Sequence, residues 1–422
     1  MGDQVSCVLK NVTLPDGRVT DLTLGGGRVL HAGAPGRAEE VIDAVGLICV
    51  PAAVDMHTHL RGGGQRHKED WRSGTTSALF GGVTVVVDQP NTVPPLTTPE
   101  AFAARVREAE KEAVCAFGIN GGVVPGADLV GLWRAGALAF GEIFAGPSSY
   151  GAAVPPETLR EAFIALRDLG ALATVHAEDP LPGAPADLPD HDRLRPALTE
   201  AEAVRAVCAL LPLRGRVHFC HMSSAAAVDA ACGTVEATPH HLFLSWERFD
   251  RDDTMARVNP PLRTEKERKA LWSRWERIDA VASDHAPHTP VEKGVPFPDA
   301  PSGIPGVETM LPLLMAEVFA RRITLESVIE KTSFNPARIL GIKKAGFEPG
   351  DRADFALYPR EAVPIDPDAL HTKSRWTPFE GMPAVFPEIV VMGGRCAVRD
   401  GDLLSCRGEW IRGKGYYPRG AQ

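Results

Sequence analysis

Between residues 47 and 345, short apolar runs alternate with segments that begin like helices, and this alternation limits the fold more than any other feature. The runs fall at 47–54, 83–87, 113–118, 137–140, 171–175, 216–220, 234–237 and 280–282. Each is about the length of one buried strand. Helix starts lie between them. Pro99 follows Thr98 and suits a first helical position. Thr199-Glu200-Ala201-Glu202 and Thr264-Glu265-Lys266-Glu267 carry the capping-box pattern. Eight strands with helical crossovers over about 300 residues predict an α/β fold, a (β/α)8 TIM-type barrel. A doubly wound sheet has the same periodicity, but it gives no reason for the residues that stand where the runs end.

Those residues are of metal-binding type. The first run leads into Asp55-Met56-His57-Thr58-His59-Leu60-Arg61, and the fifth into His176-Ala177-Glu178. The sixth leads into His218-Phe219-Cys220-His221, and the eighth into Asp284-His285-Ala286-Pro287-His288. In a β/α barrel the strand C-terminal ends carry the active site. His57 and His59, two apart on a strand, point to one side. His57, His59, His176, His221 and Asp284 form a set of nitrogen and oxygen ligands suited to Zn²⁺. Five ligands exceed the three protein groups usual for one catalytic zinc, so two metals are expected. His218 is read as a core residue.

The chain ends have a different texture. Short apolar stretches at 5–9, 22–24 and 29–30, then 355–358, 389–392 and 396–398, are separated by turn chemistry such as Pro15-Asp16-Gly17 and Gly25-Gly26-Gly27. They are expected to pair into one small β-sandwich, giving segments 1–50 and 346–422 around a barrel at 51–345. The net charge of −9, with no long basic run, argues against a nucleic-acid footprint. No apolar stretch approaches the roughly 20 residues that cross a bilayer, and the N-terminus lacks signal-peptide features. Eight cysteines without a C-x-x-C pair read as buried free thiols in a reducing compartment, and so as a cytoplasmic protein.

Further motifs follow in order: Lys68-Glu69-Asp70, Pro90-Asn91-Thr92, Asn259-Pro260-Pro261-Leu262-Arg263, Gly306-Val307-Glu308-Thr309, Asn335-Pro336-Ala337-Arg338 and Trp376-Thr377-Pro378-Phe379-Glu380-Gly381. With the histidine motifs, they resemble the amidohydrolase superfamily and, within it, the class I dihydroorotase family with its archaeal members. The resemblance covers nearly the whole chain. It implies two bridged zinc ions, one held by His57, His59 and Asp284 and the other by His176 and His221, with Asp284 as general base and acid. It also implies a small-molecule substrate, N-carbamoyl-aspartate or dihydroorotate. The substrate carboxylate would be held by Arg61, Asn91 and His288, helped by His59 and by the backbone around Ser302 and Gly303. A guanidinium fork suits a carboxylate bidentately. Asn259 either touches the substrate or shapes the turn before Pro260-Pro261. Self-association or docking to a transcarbamoylase are the partners implied.

Two departures from the family pattern stand out. Many relatives bridge the metals with a carboxylated lysine on the fourth strand, yet no lysine occurs between Lys111 and Lys266. Glu142, read as the end of the fourth strand, is the available bridge. Arg61 is followed by Gly62-Gly63-Gly64 instead of a proline-containing loop. The stretches 145–156 and 289–305 read either as mobile loops over a pocket or as ordinary surface loops. The competing activities are a hydantoinase or allantoinase, a metal-dependent deaminase, and a non-catalytic scaffold.

Overall fold

The computed structural model describes residues 5–33, 38–146 and 153–417. Its centre is a ring of eight strands, all paired in parallel and in chain order: Ala53–Thr58, Val83–Asp88, Ala116–Ile119, Phe140–Phe144, Leu172–His176, Arg216–Phe219, Thr234–Ala237 and Ala280–Val281. Bridges Gly121↔Phe140 and Thr58↔His285 join the third strand to the fourth and the eighth to the first, closing the barrel. Val85, Val87, Ala116, Leu172 and Ala280 help fill one of the buried clusters that these strands form.

Two strand readings are corrected. The run at 47–54 is two strands, because Ile48–Pro51 pairs antiparallel with Phe355–Tyr358, and the barrel strand begins at Ala53. The fourth strand is Phe140–Phe144, not 137–140, and Glu142 sits at its middle. Leu138 and Ala139 instead bond to the chain around the third strand's end, where Leu138 N donates to Ile119 O and Ala139 N to Asn120 Oδ1.

Of the three helix starts read from the sequence, two follow capping chemistry. Thr98 accepts from Ala101 N at the start of Pro99–Glu112. Thr264 accepts from Glu267 N at Glu265–Trp272. The helix read as starting at Thr199 begins at Ala197, after Pro196. Thr199 lies inside its first turn and donates to Pro196 O. Pro196 takes the N-cap place in an extended conformation and has no side-chain group to cap with.

Strands from both chain ends share one nine-stranded sheet. Its order runs Asp402–Leu403, Arg395–Arg399, Ile389–Met392, Phe355–Tyr358, Ile48–Pro51, Val5–Thr13, Val19–Gly25, Arg28–Ala32, with Glu40–Asp43 also on Val5–Thr13. Its central strands are apolar on both faces. Cys49, Phe355, Leu357 and Val391 pack into the sheet's own core. Their neighbours Val50, Ala356, Tyr358 and Val390 join the large core shared with the barrel. Alternate residues of a strand face opposite sides, so burial on both sides explains these continuous apolar runs.

The cysteine reading needs correction. Cys208, on helix Ala197–Leu210, is bonded to Cys232, and six thiols remain free. Cysteine usage therefore no longer argues for a reducing compartment. No helix among the described residues is long and apolar enough to cross a membrane.

Candidate metal centre

The barrel strands bring the six predicted ligands to one point. His57 comes from within the first strand and His176 from the last residue of the fifth. His59, His221 and Asp284 follow the first, sixth and eighth. Glu142 projects between them from the fourth strand, and all six are buried. Gly141, at φ 124°, lets the strands close here, since a Cβ on it would strike the Thr174 carbonyl oxygen.

Glu142 divides its oxygens. Oε1 lies 2.9 Å from His176 Nδ1 and 2.7 Å from His221 Nε2. Oε2 lies 3.6 Å from His57 Nε2 and 3.9 Å from His59 Nε2. Asp284 Oδ1 is 3.0 Å from His59 Nε2 and 3.4 Å from His57 Nε2. One carboxylate thus faces two histidine pairs and a second faces one of those pairs.

The outer hydrogen bonds set the tautomers. Glu236 Oε1 sits 2.6 Å from His57 Nδ1, and Asn91 Oδ1 sits 2.9 Å from His59 Nδ1. Both oxygens accept, so each Nδ1 carries a proton, and in the neutral ring each Nε2 then presents a lone pair. Those lone pairs point at the oxygens of Asp284 and Glu142. His57 Nε2 has no hydrogen-bond partner among the described residues. Acceptor facing acceptor in a buried pocket is unfavourable unless a cation lies between them. His57-His59-Asp284 and His57-Glu142-His221 each place three ligand atoms within 4.8 Å of one another. The donor set therefore fits bound metal.

The electrostatics agree. Burial alone would raise the Glu142 carboxyl, but His57, His176 and His221 hold it well below the carboxylate range. Asp284 is likewise lowered by His57 and His59 against its burial. Burial would lower His176, yet Glu142 and Glu178 raise it to about 9. The pocket is a strong trap for positive charge.

Beside the metal-type cluster lies a cavity lined by His59, Glu142, His176, Asn259, Asp284, Ser302 and Gly303, with Phe144, Val258 and Ala286. Asn259 Oδ1 accepts from His191 Nε2 at 2.9 Å and from Ser302 Oγ at 3.2 Å. Arg61, Asn91 and His288 do not line this cavity; Asn91 and His288 lie against its lining residues His59 and Gly303, and Arg61 lies behind them against His288. Asn91 meets His59, and its Nδ2 has no partner among the described residues. Arg61 Nη2 is 3.4 Å from His288 Nε2. Gly303, at φ 149°, lies against the His288 ring, where a Cβ would approach Cδ2 to 3.0 Å and clash with the Ala286 carbonyl.

Of the two stretches read as loops, 145–156 lies partly outside the described residues. The stretch 289–305 is packed. Helix Pro290–Lys293 and the fully buried Lys293, donating to Thr254 O and Arg257 O, hold it down.

Sequence reasoning missed the supporting carboxylates. Glu236 links His57 to His218 (Nε2–Oε2 3.0 Å), so His218 is a core residue with a share in the site. Burial would raise Glu236, but those two histidines lower it to about 2. Glu178 joins His176 Nε2 at 3.2 Å and pairs with Arg195. Asp55 Oδ1 accepts from His57 N and Ser283 N, tying the first strand to the eighth. The available signal was an acidic residue inside an apolar run, which is costly to bury unless it is paired.

Comparisons with known proteins agree with this geometry. The amidohydrolase family profile matches residues 48–373. The dihydroorotase of Methanosarcina acetivorans is 39% identical over 94% of this chain and 93% of its own. That of Halobacterium salinarum is 40% identical over 94% and 97%. Among solved structures, the L-hydantoinase (dihydropyrimidinase) of Arthrobacter aurescens superposes with a TM-score of 0.90 at 25% identity, covering 97% of this chain and all of that one. The chain belongs to the amidohydrolase family.

Proposed function

We propose that this chain is a dihydroorotase, interconverting N-carbamoyl-aspartate and dihydroorotate in pyrimidine synthesis. The observation that carries this reading is the meeting of two kinds of site: a buried histidine–carboxylate cluster, and beside it Arg61, Asn91 and His288, whose donors suit a carboxylate. The curated relatives named dihydroorotase, at about 40% identity along the chain, support it.

The metals are read as two zinc ions, since imidazole and carboxylate ligands suit zinc. His57, His59 and Asp284 would hold one and His176 and His221 the other, with Glu142 shared between them. Bound there, the pair supplies a polarised ring carbonyl and a water acidic enough to attack it near neutral pH. The chain's own residues do the rest. Arg61 forks onto the substrate carboxylate while Asn91 Nδ2 and His288 add neutral donors, fixing the ring over the cluster. Asp284 takes the proton of the attacking water and hands it to the ring nitrogen as the amide C–N bond breaks. In the reverse direction the same groups close the ring. Asn259, Ser302 and Gly303 shape the opposite wall.

This reading also takes the terminal sheet as a small β-sandwich beside a barrel at 51–345, and the protein as cytoplasmic. Its partner expectations are self-association and docking to a transcarbamoylase, which sedimentation alone and with that enzyme separates. A hydantoinase is the second reading, favoured by the solved neighbour's name. Purified, metal-quantified protein should turn over dihydroorotate and N-carbamoyl-aspartate and carry about two zinc ions, as two-metal hydrolases do. Turnover of hydantoin or allantoin with none of dihydroorotate would falsify the assignment.

A further inference from the structure

We infer that Arg263, together with Glu200, is a positioning residue that holds His176 and His221, the ligand pair of the second metal, at their mutual angle and spacing. The inference rests on the two-metal reading given above. The two imidazoles meet edge to face, with ring centroids 4.6 Å apart. His176 is the last residue of the fifth strand, and His221 stands two residues past the sixth with a φ of 37°. Where the strand ladder stops, a ligand's aim depends on the groups that hold it.

Each histidine is followed two residues later by a polar side chain, Glu178 or Ser223, anchored in one network. Glu178 Oε2 lies 3.2 Å from His176 Nε2 and accepts from Arg195 Nη1. Ser223 donates from its N to Glu200 Oε1 at 2.8 Å and from its Oγ to Glu200 Oε2 at 2.9 Å. Glu200 belongs to the first turn of helix Ala197–Leu210 and is buried. Arg263 joins the two arms. On the His221 side its Nε donates to Ser223 Oγ at 2.9 Å and its Nη2 to Glu200 Oε2 at 3.3 Å. On the His176 side its Nη1 donates to the Arg195 carbonyl, and also to Asp192 Oδ1 at 2.8 Å.

A guanidinium carries its N–H donors in a rigid planar fork and has no acceptor. Every atom that Arg263 meets here is an oxygen able to accept, so all the contacts have one sense. Ser223 Oγ accepts from Arg263 and donates onward to the Glu200 carboxylate. Arg263 is itself buried, and Glu200 and Asp192 balance its charge, without which burial would be costly. The other hold on this segment, His221 N donating to Glu236 Oε1 at 3.0 Å, also serves His57. Among the described residues, the hydrogen bonds of Arg263 reach the His176 and His221 arms and not His57, His59 or Asp284. Its loss should therefore fall on one metal.

The test is zinc binding by the full-length enzyme in competition with a chromophoric chelator. The occupancy of each position is read from anomalous scattering at the zinc edge, in crystals equilibrated with the same chelator. Wild type should fill both positions. Arg263→Lys keeps the charge and loses the fork. It should weaken zinc at the His176–His221 position by roughly 10–100-fold, the usual cost of removing an outer partner of a metal ligand, and leave the His57–His59–Asp284 position filled. At saturating zinc its turnover of dihydroorotate should return with KM unchanged, because Arg61, Asn91 and His288 are untouched. Unchanged zinc at the His176–His221 position overturns the inference. So does equal weakening of both positions, which marks a general loosening of the fold. Glu200→Gln is isosteric and leaves Arg263 paired with Asp192, but its single amide oxygen cannot serve the donors that two carboxylate oxygens share. It should show the same one-sided loss, and the same two outcomes decide the matter if Arg263→Lys fails to fold. A wild type that fills only one position is a separate result: it overturns the two-metal reading and the purpose of the Arg263 contacts with it.

Discussion

Arg61, His221 and Asp284 hold φ values of 50°, 37° and 45°, among only eight non-glycine residues in the left-handed region in the described chain. That conformation costs an L-residue about 1–2 kcal/mol, and such residues gather where function over-determines the backbone. All three sit just past a barrel strand, where the chain turns sharply; the turn brings His221 and Asp284 into the cluster and Arg61 against His288. Asparagine tolerates this region better than most residues, so Asp284→Asn should fold and keep its shape while losing the proton acceptor. Turnover should fall by roughly 10²–10⁴-fold or more. Near-normal kcat in metal-loaded Asp284→Asn would mean that another group is the base. Glu142 supports a bolder expectation, because its two oxygens face both histidine pairs. Glu142→Ala should lose at least one metal and nearly all activity, and the wild-type intact mass should show no added carboxyl group. Retention of both metals and full activity by that variant would exclude Glu142 as the bridge.

Helix Leu188–Leu194 shows an element tuned by burial. Its His191 donates from Nε2 to Val258 O and Asn259 Oδ1, holding a cavity wall in place. Burial, followed by Arg195 and Arg257, pushes His191 down to about 4. An unfolded histidine titrates near 6.5. Between those values the unfolded chain binds a proton that the folded chain does not, so stability is full above about 6.5 and falls as pH drops toward 4. The loss from this one residue is at most about 3 kcal/mol, at 1.36 kcal/mol per pH unit. Denaturant unfolding at pH 7 and 4.5 should show a smaller drop for His191→Gln than for wild type, and equal drops would sink this account. Elements were legible wherever their signal was local. Thr98-Pro99 marked a helix start because cap and proline are adjacent, and Thr199 misled because the helix begins two residues earlier, at Ala197.

At the scale of the whole molecule, the barrel gathers buried carboxylates and imidazoles from five strands at one point, and that point should couple metal to stability. A ligand that binds only the folded state stabilises by about 3–4 kcal/mol at 100–1,000 times its Kd. Chelated protein should therefore melt at a lower temperature than the loaded form, and added zinc should restore the midpoint; identical calorimetric midpoints would break the link. The sequence by itself determined the eightfold alternation, the strand-rich ends and the metal-type residues where strands stop. These depend on side-chain period and residue type, which a short window of chain contains. Only the tertiary structure decided that Ile48–Pro51 pairs with Phe355–Tyr358, that Cys208 meets Cys232, that Glu236 orients His57 from 179 residues away, and that Arg263 reaches Ser223. Each of these joins segments that no local period relates. Strand closure and side-chain packing choose such partners, and both are properties of the closed barrel and its loops.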